Sequence, residues 1–310
     1  MIEIFYKTIP FFALIGLGYS AAITRFFSAE ATAYLTKFVF YFALSAMLFR
    51  FSSDLSLSEL YDPEFIYAYL SASLIIYFLA TAVAIFRKKV PSEAAVEAQC
   101  SVIGNVGFLG IPMLAILMGP KSVGFIMIIL AIDLIVFGSL IVLIIVASKD
   151  KKLDIFLFYR VLLGLMKNPM IVSIICGLLW SASGWSIPGP INDFIVMLGS
   201  AATPGALFAI GASLAQKSTE RFEVAAWLSF CKLVLHPFAV CIAVFYIFEV
   251  ELYAATVMIA AASLPVAGNI FMVAQHYNVA PKRASAAIFL STVLSIFTVS
   301  FTIAWVSSLN

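Results

Sequence analysis

Two short strings carry most of the chemistry this sequence offers. In SVIGNVGFLGIPM, Gly104, Asn105, Gly107, Gly110 and Pro112 fall within nine residues. Inside a helix Gly costs about 1 kcal/mol and Pro about 3 kcal/mol relative to Ala, so a regular helix through this stretch is poor. SLPVAGNIFMVA carries the same signal with Pro265, Gly268 and Asn269. Backbone that leaves the helix inside an apolar segment is tolerated only under protein cover or beside a water-filled cavity, where its freed amides and carbonyls can meet a solute. The half-helices that restart there present positive dipole ends, which suit an anionic group. Pro kinks or packing seams of small residues are the plainer reading of such strings.

Three ionisable side chains stand in apolar surroundings. Asp133, in IILAIDLIVFG, lies near the centre of an apolar run, where insertion scales charge about 2.5–3.5 kcal/mol for a carboxylate. It is a candidate for proton coupling or for a hydrogen bond to a solute; the alternative is a structural Asp bonded among helices. Lys232 and His236, in CKLVLHP, sit one turn apart. Lys232 reads as a snorkelling side chain, and His236 reads as a packing residue or part of the same charge system. Gln99 and Thr203 could add polar contacts. The spacing yields no Ser-His-Asp or Cys-His set, no HExxH, no CxxC and no GxxxxGK[ST], so catalysis, a zinc site and a nucleotide-driven pump find no support, and no cofactor is expected.

The elements that must position these residues follow from composition. The 310 residues are 64% apolar and 11% charged, against about 25% charged in soluble domains. Cutting at charge and turn clusters gives ten apolar segments, at 8–24, 33–51, 64–86, 95–118, 121–147, 168–183, 190–216, 224–248, 251–274 and 283–307, each about long enough to cross a 30 Å hydrocarbon core. The chain is therefore expected to be an all-α membrane protein. The opening MIEIFYKTIPFF lacks a small-residue cleavage site and reads as a retained first span. The four cysteines lie in apolar runs without paired spacing and read as packing residues. The net charge of +2 gives no nucleic-acid footprint.

Lys and Arg test the span count, since cytoplasmic loops collect positive charge. One side of a ten-span arrangement carries three (Lys7, Arg50, Lys121), the other fourteen, and Lys232 lies within a span. That asymmetry puts both termini outside the cytoplasm. The halves also repeat: Pro10 falls on Pro169 and Leu48-Phe49 on Leu207-Phe208 at an offset of 159, Gly107 on Gly268 and Pro120-Lys121 on Pro281-Lys282 at 161. Five spans per repeat force the halves into opposite orientations, with the broken helices at spans four and nine. The units are residues 1–147, a cytoplasmic and amphipathic linker at 148–167, and residues 168–310.

Taken in order, NVGFLGIP, TPGALFAIGASLA, KLVLHP, SLPVAGNIFMVAQHYNV and FLSTVLSIFTV resemble the auxin efflux carrier family, which includes the plant PIN proteins and bacterial carriers of dicarboxylates such as malonate. The resemblance covers about Gly16 to Val306. It implies crossover helices at spans four and nine, a scaffold from spans one, two, six and seven, and a transport domain from the remaining spans that moves as an elevator, often within a homodimer joined through the scaffold. By matching position it assigns the solute to Asn105, Pro112, Pro265 and Asn269, with Gly104, Gly107 and Gly268 around them. At Lys232, ahead of the proline, it implies an anion partner or an ion pair with Asp133. The chain departs from plant members at Gly104, where they have Pro, at Ser45, again Pro there, at the third span, whose carboxylate has only Glu64 at the span's start, and in lacking their long cytoplasmic loop. The expected function is a secondary transporter of a small organic anion, malonate- or auxin-like, in the bilayer of a cell's cytoplasmic (inner) membrane. An anion channel or ligand sensor on the same scaffold is the alternative.

Overall fold

A computed structural model describes residues 2–54, 62–150, 163, 166, 168–215 and 222–309. Most of the 148–167 linker, and with it the expected amphipathic character, lies outside the described residues. The described chain is helical, in the order α1 (Ile2–Ile23), α2 (Ala29–Ser53), α3 (Pro63–Phe86), α4 (Pro91–Val102), α5 (Val106–Met118), α6 (Ser122–Ser148), α7 (Pro169–Ser183), α8 (Gly189–Leu214), α9 (Phe222–Ile247), α10 (Leu252–Ala262), α11 (Asn269–His276) and α12 (Pro281–Ser307). Six of these, α2, α3, α6, α8, α9 and α12, are long and apolar enough to cross a membrane; Ile9–Ile23, Val106–Met118, Pro169–Ser183 and Leu252–Ala262 are shorter apolar helices. The sequence segments at 95–118 and 251–274 each come out as two helices, split after Val102 and Ala262.

Local signals set the helix starts. Asp62 precedes Pro63 and accepts from the Glu64 and Phe65 amides at 3.0 and 3.1 Å, and Asn168 precedes Pro169 and accepts from the Met170 amide at 3.0 Å. Each is a cap followed by a proline whose missing N–H would have had no acceptor. Glu251 caps α10 through the Tyr253 and Ala254 amides. Gly184, at φ 68°, ends α7 in the left-handed conformation.

Two packing groups emerge. Helices α1, α2, α7 and α8 pack on one another, and α3 to α6 pack with α9 to α12. In the first group α1 and α8 approach so closely that a Cβ on Gly18 or Gly211 would run into the carbonyl of Phe208 or Ile15, the small-residue contact typical of membrane helices. Large apolar side chains such as Phe78, Ile116, Leu179, Phe194, Met197 and Phe297 are exposed around the outside, the opposite of a water-facing surface. All four cysteines are free; Cys176 is exposed on α7, so it is not a packing residue.

One charged cluster is buried. Arg283 belongs to the first turn of α12 and is buried, donating to Glu97 Oε1 at 2.8 Å and to Glu93 Oε2 at 3.2 Å. Glu97, on α4, is fully buried and also pairs with Arg87. Sequence reasoning took Arg283 as a loop charge and passed over Glu97 because both lie at segment edges.

Candidate functional site

The two helix interruptions touch. Gly104 and Val266 form an isolated antiparallel bridge, the Asn105 amide donates to the Pro265 carbonyl at 2.8 Å, and the Ala267 amide donates to the Ile103 carbonyl at 3.0 Å. Backbone groups released by each break are thus satisfied by the other, with the Val266 amide bonded to Ser291 Oγ at 3.1 Å. This is how non-helical chain survives in an apolar interior. Pro265 needs no amide partner and supplies only its carbonyl. After the first break the chain restarts through a π-helical turn, Val106–Gly110, in which the Asn105 carbonyl accepts from both Leu109 and Gly110, and Pro112 follows within the first turn of the α-helix.

Asp133 and Lys232 also stand on π-helical turns, Asp133–Phe137 in α6 and Cys231–Leu235 in α9. The extra residue in such a turn shifts side-chain register and is frequent at functional sites. Both residues are buried, at 3% and 0% exposure. Sequence reasoning allowed an ion pair between them, and none is present. Asp133 Oδ1 instead accepts from the Tyr69 hydroxyl at 2.9 Å. Lys232 Nζ bonds to the Ala262 carbonyl and lies 3.2 Å from His236 Nδ1, while His236 Nε2 lies 3.0 Å from Ser73 Oγ. With the ammonium as donor, His236 accepts at Nδ1 and carries its proton on Nε2, toward Ser73. Tyr69 packs edge-on to the His236 ring at 5.8 Å. Lys232 therefore binds the last carbonyl of α10, where the break leaves it without a helical partner and the dipole end is negative.

Beside this network lies a cavity of about 290 Å³, lined by Phe40, Gln99, Asp133, Asn168, Met170, Asn269, Met272 and Tyr277 among others. It is mainly apolar, its lining contains no Lys or Arg among the described residues, and three of its lining residues each carry a buried side-chain oxygen with no hydrogen-bond partner: Gln99 Oε1, Asp133 Oδ2 and Asn269 Oδ1. A larger cavity of about 470 Å³ adjoins it between α2, α8 and α11, with Phe40, Asn269 and Met272 in the lining of both.

The expected site residues divide. Gly268 and Asn269 face cavities, as do Asp133 and Gln99. Gly104, Asn105, Gly107, Pro112 and Pro265 are buried and shape the backbone instead, with Gly107 against Met170 of α7. Lys232 and His236 sit behind the site in the hydrogen-bond network, and Thr203 lines neither cavity. Tyr69, Ser73, Asn168 and Tyr277 escaped the sequence reading. The Asn-Pro pair at 168–169 was a usable cap signal, whereas a Tyr and a Ser in an apolar helix announce nothing. Among the described residues His, Cys, Asp and Glu form no group of three able to hold a metal.

Comparisons with known proteins agree with this architecture. A family model described as membrane transport protein matches residues 3–303. The chain is 29% identical over 303 residues to the "Putative malonate transporter" of Rhizobium meliloti (strain 1021), covering 97% of this chain and 95% of that protein. The helices, the apolar exterior and a match across nearly all of the sequence make this a membrane transporter and not an enzyme, and the chain belongs to the membrane transport protein family, the PIN-like auxin efflux carriers.

Proposed function

We propose that the chain is a secondary transporter moving a small organic anion, a mono- or dicarboxylate of the malonate or auxin type, across the cytoplasmic membrane by an elevator mechanism. The observation that carries this reading is the pair of back-to-back helix breaks beside a cavity with unpaired Asn269, Gln99 and Asp133 oxygens. Interrupted helices meeting at a cavity are the transporter arrangement in which half-helix N-termini receive an anionic group. The malonate name of the relative supports a short carboxylate as cargo.

In this mechanism the ten spans are two inverted five-helix repeats, with α4–α5 and α10–α11 as the crossover helices. Helices α1, α2, α7 and α8 form the scaffold, and the other packing group carries the cargo past it. The cavity supports that division, because Phe40 of α2 and Met170 of α7 face Asp133, Gln99 and Asn269 across it. The scaffold also joins two copies into a homodimer, for which the exposed Ile191, Phe194 and Met197 of α8 provide an apolar face. Both termini lie outside the cytoplasm.

The test is uptake of labelled malonate, malate and an indole carboxylate into proteoliposomes, with and without imposed proton and sodium gradients. Asn269→Ala removes a cavity-facing amide, and loss of one hydrogen bond to a charged group is worth about 1.5–3 kcal/mol, so saturable uptake is expected to lose about 10- to 100-fold in affinity. Asn105→Ala, at a backbone-shaping position, is expected to cost less. Large single-channel currents with no saturable uptake would replace the carrier with a pore.

A further inference from the structure

The 290 Å³ cavity is unusual for an anion site in what it lacks. The unpaired polar atoms of its lining residues are all acceptors, and among the described residues no Lys or Arg lines it. The amides of Gln99 and Asn269 can turn to offer N–H groups instead. Asp133 has no such freedom: it lines the cavity, its Oδ1 is already bonded to the Tyr69 hydroxyl, and its Oδ2 is buried and unpaired, the one oxygen left for a cargo to approach. A fully ionised carboxylate brought to Oδ2 would meet like charge against a mainly apolar wall, where the repulsion is stronger than in water. A carboxyl group and a carboxylate that share one proton do not have this conflict, as in paired carboxylates that cannot both ionise.

We propose that the cargo is a short dicarboxylate carried as its monoprotonated anion, one carboxyl group sharing a proton with Asp133 Oδ2 and the other, ionised, lying at the start of α11 beside Asn269. This rests on the carrier reading above and deepens it. The proton bound between the two oxygens comes from whichever of the free cargo or Asp133 holds it, and above the titration range of both it is taken from water. Each bound cargo therefore carries one proton. The apolar remainder of the wall, from Leu134, Ile141, Ile270 and Val273, accepts the short hydrocarbon bridge of such an acid. A cavity of this size is much larger than a single ion needs, which favours an organic acid over a bare cation among the three oxygens.

The groups around Asp133 are accounted for. From α3 comes Tyr69, hydrogen-bonded to Oδ1; from α9 come His236 and Lys232, bonded to each other and engaged by Ser73 and the Ala262 carbonyl. Gln99 of α4 is neutral, and Tyr277, after α11, completes the lining. None of them places a cation in the cavity.

The experiment measures malonate affinity of the purified full-length protein from about pH 6.5 to 9, with sodium present and absent. The expected result is a Kd that rises about tenfold per pH unit on the alkaline side, the slope for one proton bound with each cargo. Asp133→Asn, whose amide donates to an ionised carboxylate, is expected to bind malonate with no slope, Asp133→Glu to keep the slope, and His236→Gln to keep it as well. Calorimetry on the unaltered protein in two buffers of different ionisation enthalpy gives the proton count independently, so a poorly folding Asp133→Asn leaves the test intact. A flat wild-type profile with no proton uptake, a slope surviving in Asp133→Asn, or a Kd set by sodium instead of pH overturns the proposal while leaving a malonate carrier standing. If no carboxylate binds at any pH, the carrier reading falls with it.

Discussion

The break between α4 and α5 spans three residues, Ile103 to Asn105, all buried, whereas that between α10 and α11 spans residues 263–268 and opens at its end onto the half-buried Gly268 and Asn269. At the first break the chain is packed on every side: a Cβ on Gly104 would stand 3.3 Å from Lys232 Cε and 3.4 Å from the Ala261 carbonyl oxygen. At the second, a Cβ on Gly268 would meet nothing within 4 Å, and Asn269 Oδ1 is unpaired in the wall of a cavity. The helix leading into the first break is anchored by the buried Glu97 and its two arginines, while α10 ends on the Lys232 ammonium. Two strings of similar residue type have divided the work. One is a fixed buttress, and the other is the break at which the proposed site opens.

The strongest way to break this comparison is to unanchor the buttress. Glu97→Ala takes from the buried Arg283 its closer carboxylate, leaving the partly exposed Glu93 beside it, and strands Arg87. Removing one partner of a buried pair costs about 3–5 kcal/mol, and about 3 kcal/mol is expected here because Glu93 remains. Thermal unfolding in detergent measures it. Replacing Glu97 and Arg283 together by Leu and Met should recover part of that loss, since the buried Arg283 charge is removed with its partner and only the partly exposed Arg87 is left unpaired. A single substitution with no loss of stability would mean that α4 is not held by this cluster.

Next in size is Gly104→Val. The added branches have only Lys232 Cε, the Ala261 carbonyl and Leu264 to displace, and overpacking a filled site costs about 1–3 kcal/mol. The displacement acts on Lys232 and so loosens the end of α10, which means that stability and cargo affinity should fall together. Thermal unfolding and malonate binding on the same sample check this. A loss of affinity at unchanged stability would place Gly104 at the cargo and not in the buttress.

Much of this was legible in the sequence, and the reason is physical. Apolar runs of about 20 residues have one use, so nearly all the segment boundaries fell within a few residues of the helices, and Gly and Pro cost so much in a helix that both breaks were visible as strings. What was not legible depends on which side chains a tertiary fold brings face to face. Asn105 and Asn269 look equivalent in the sequence, yet only Asn269 faces the cavities, because the first break is covered by α9 and α10. Lys232 and Asp133 look like an ion pair, yet Asp133 is bonded to Tyr69, and Lys232 to His236, which in turn meets Ser73. Tyrosine and serine in an apolar helix give no periodic or compositional signal, so these partners could not be named in advance.

The smallest effect should come from Gly268→Ala, and it is the sharpest control. Gly268 has φ −65° and ψ −26°, an ordinary helical conformation, and space for a methyl group. Alanine there restricts the unfolded chain without straining the folded one, so stability should hold or rise by about 0.4–1 kcal/mol. The methyl group would project toward the 470 Å³ cavity that Gly268 lines, whose volume exceeds what one carbon can fill, so malonate binding should change by less than about threefold. Gly268→Leu extends the same experiment, since a longer side chain should intrude on the cavity beside Asn269 and lower uptake while leaving the unfolding temperature near that of the unaltered protein. Destabilisation by Gly268→Ala comparable to that by Gly104→Val would remove the difference between the breaks, because it would mean that the second is as tightly enclosed as the first.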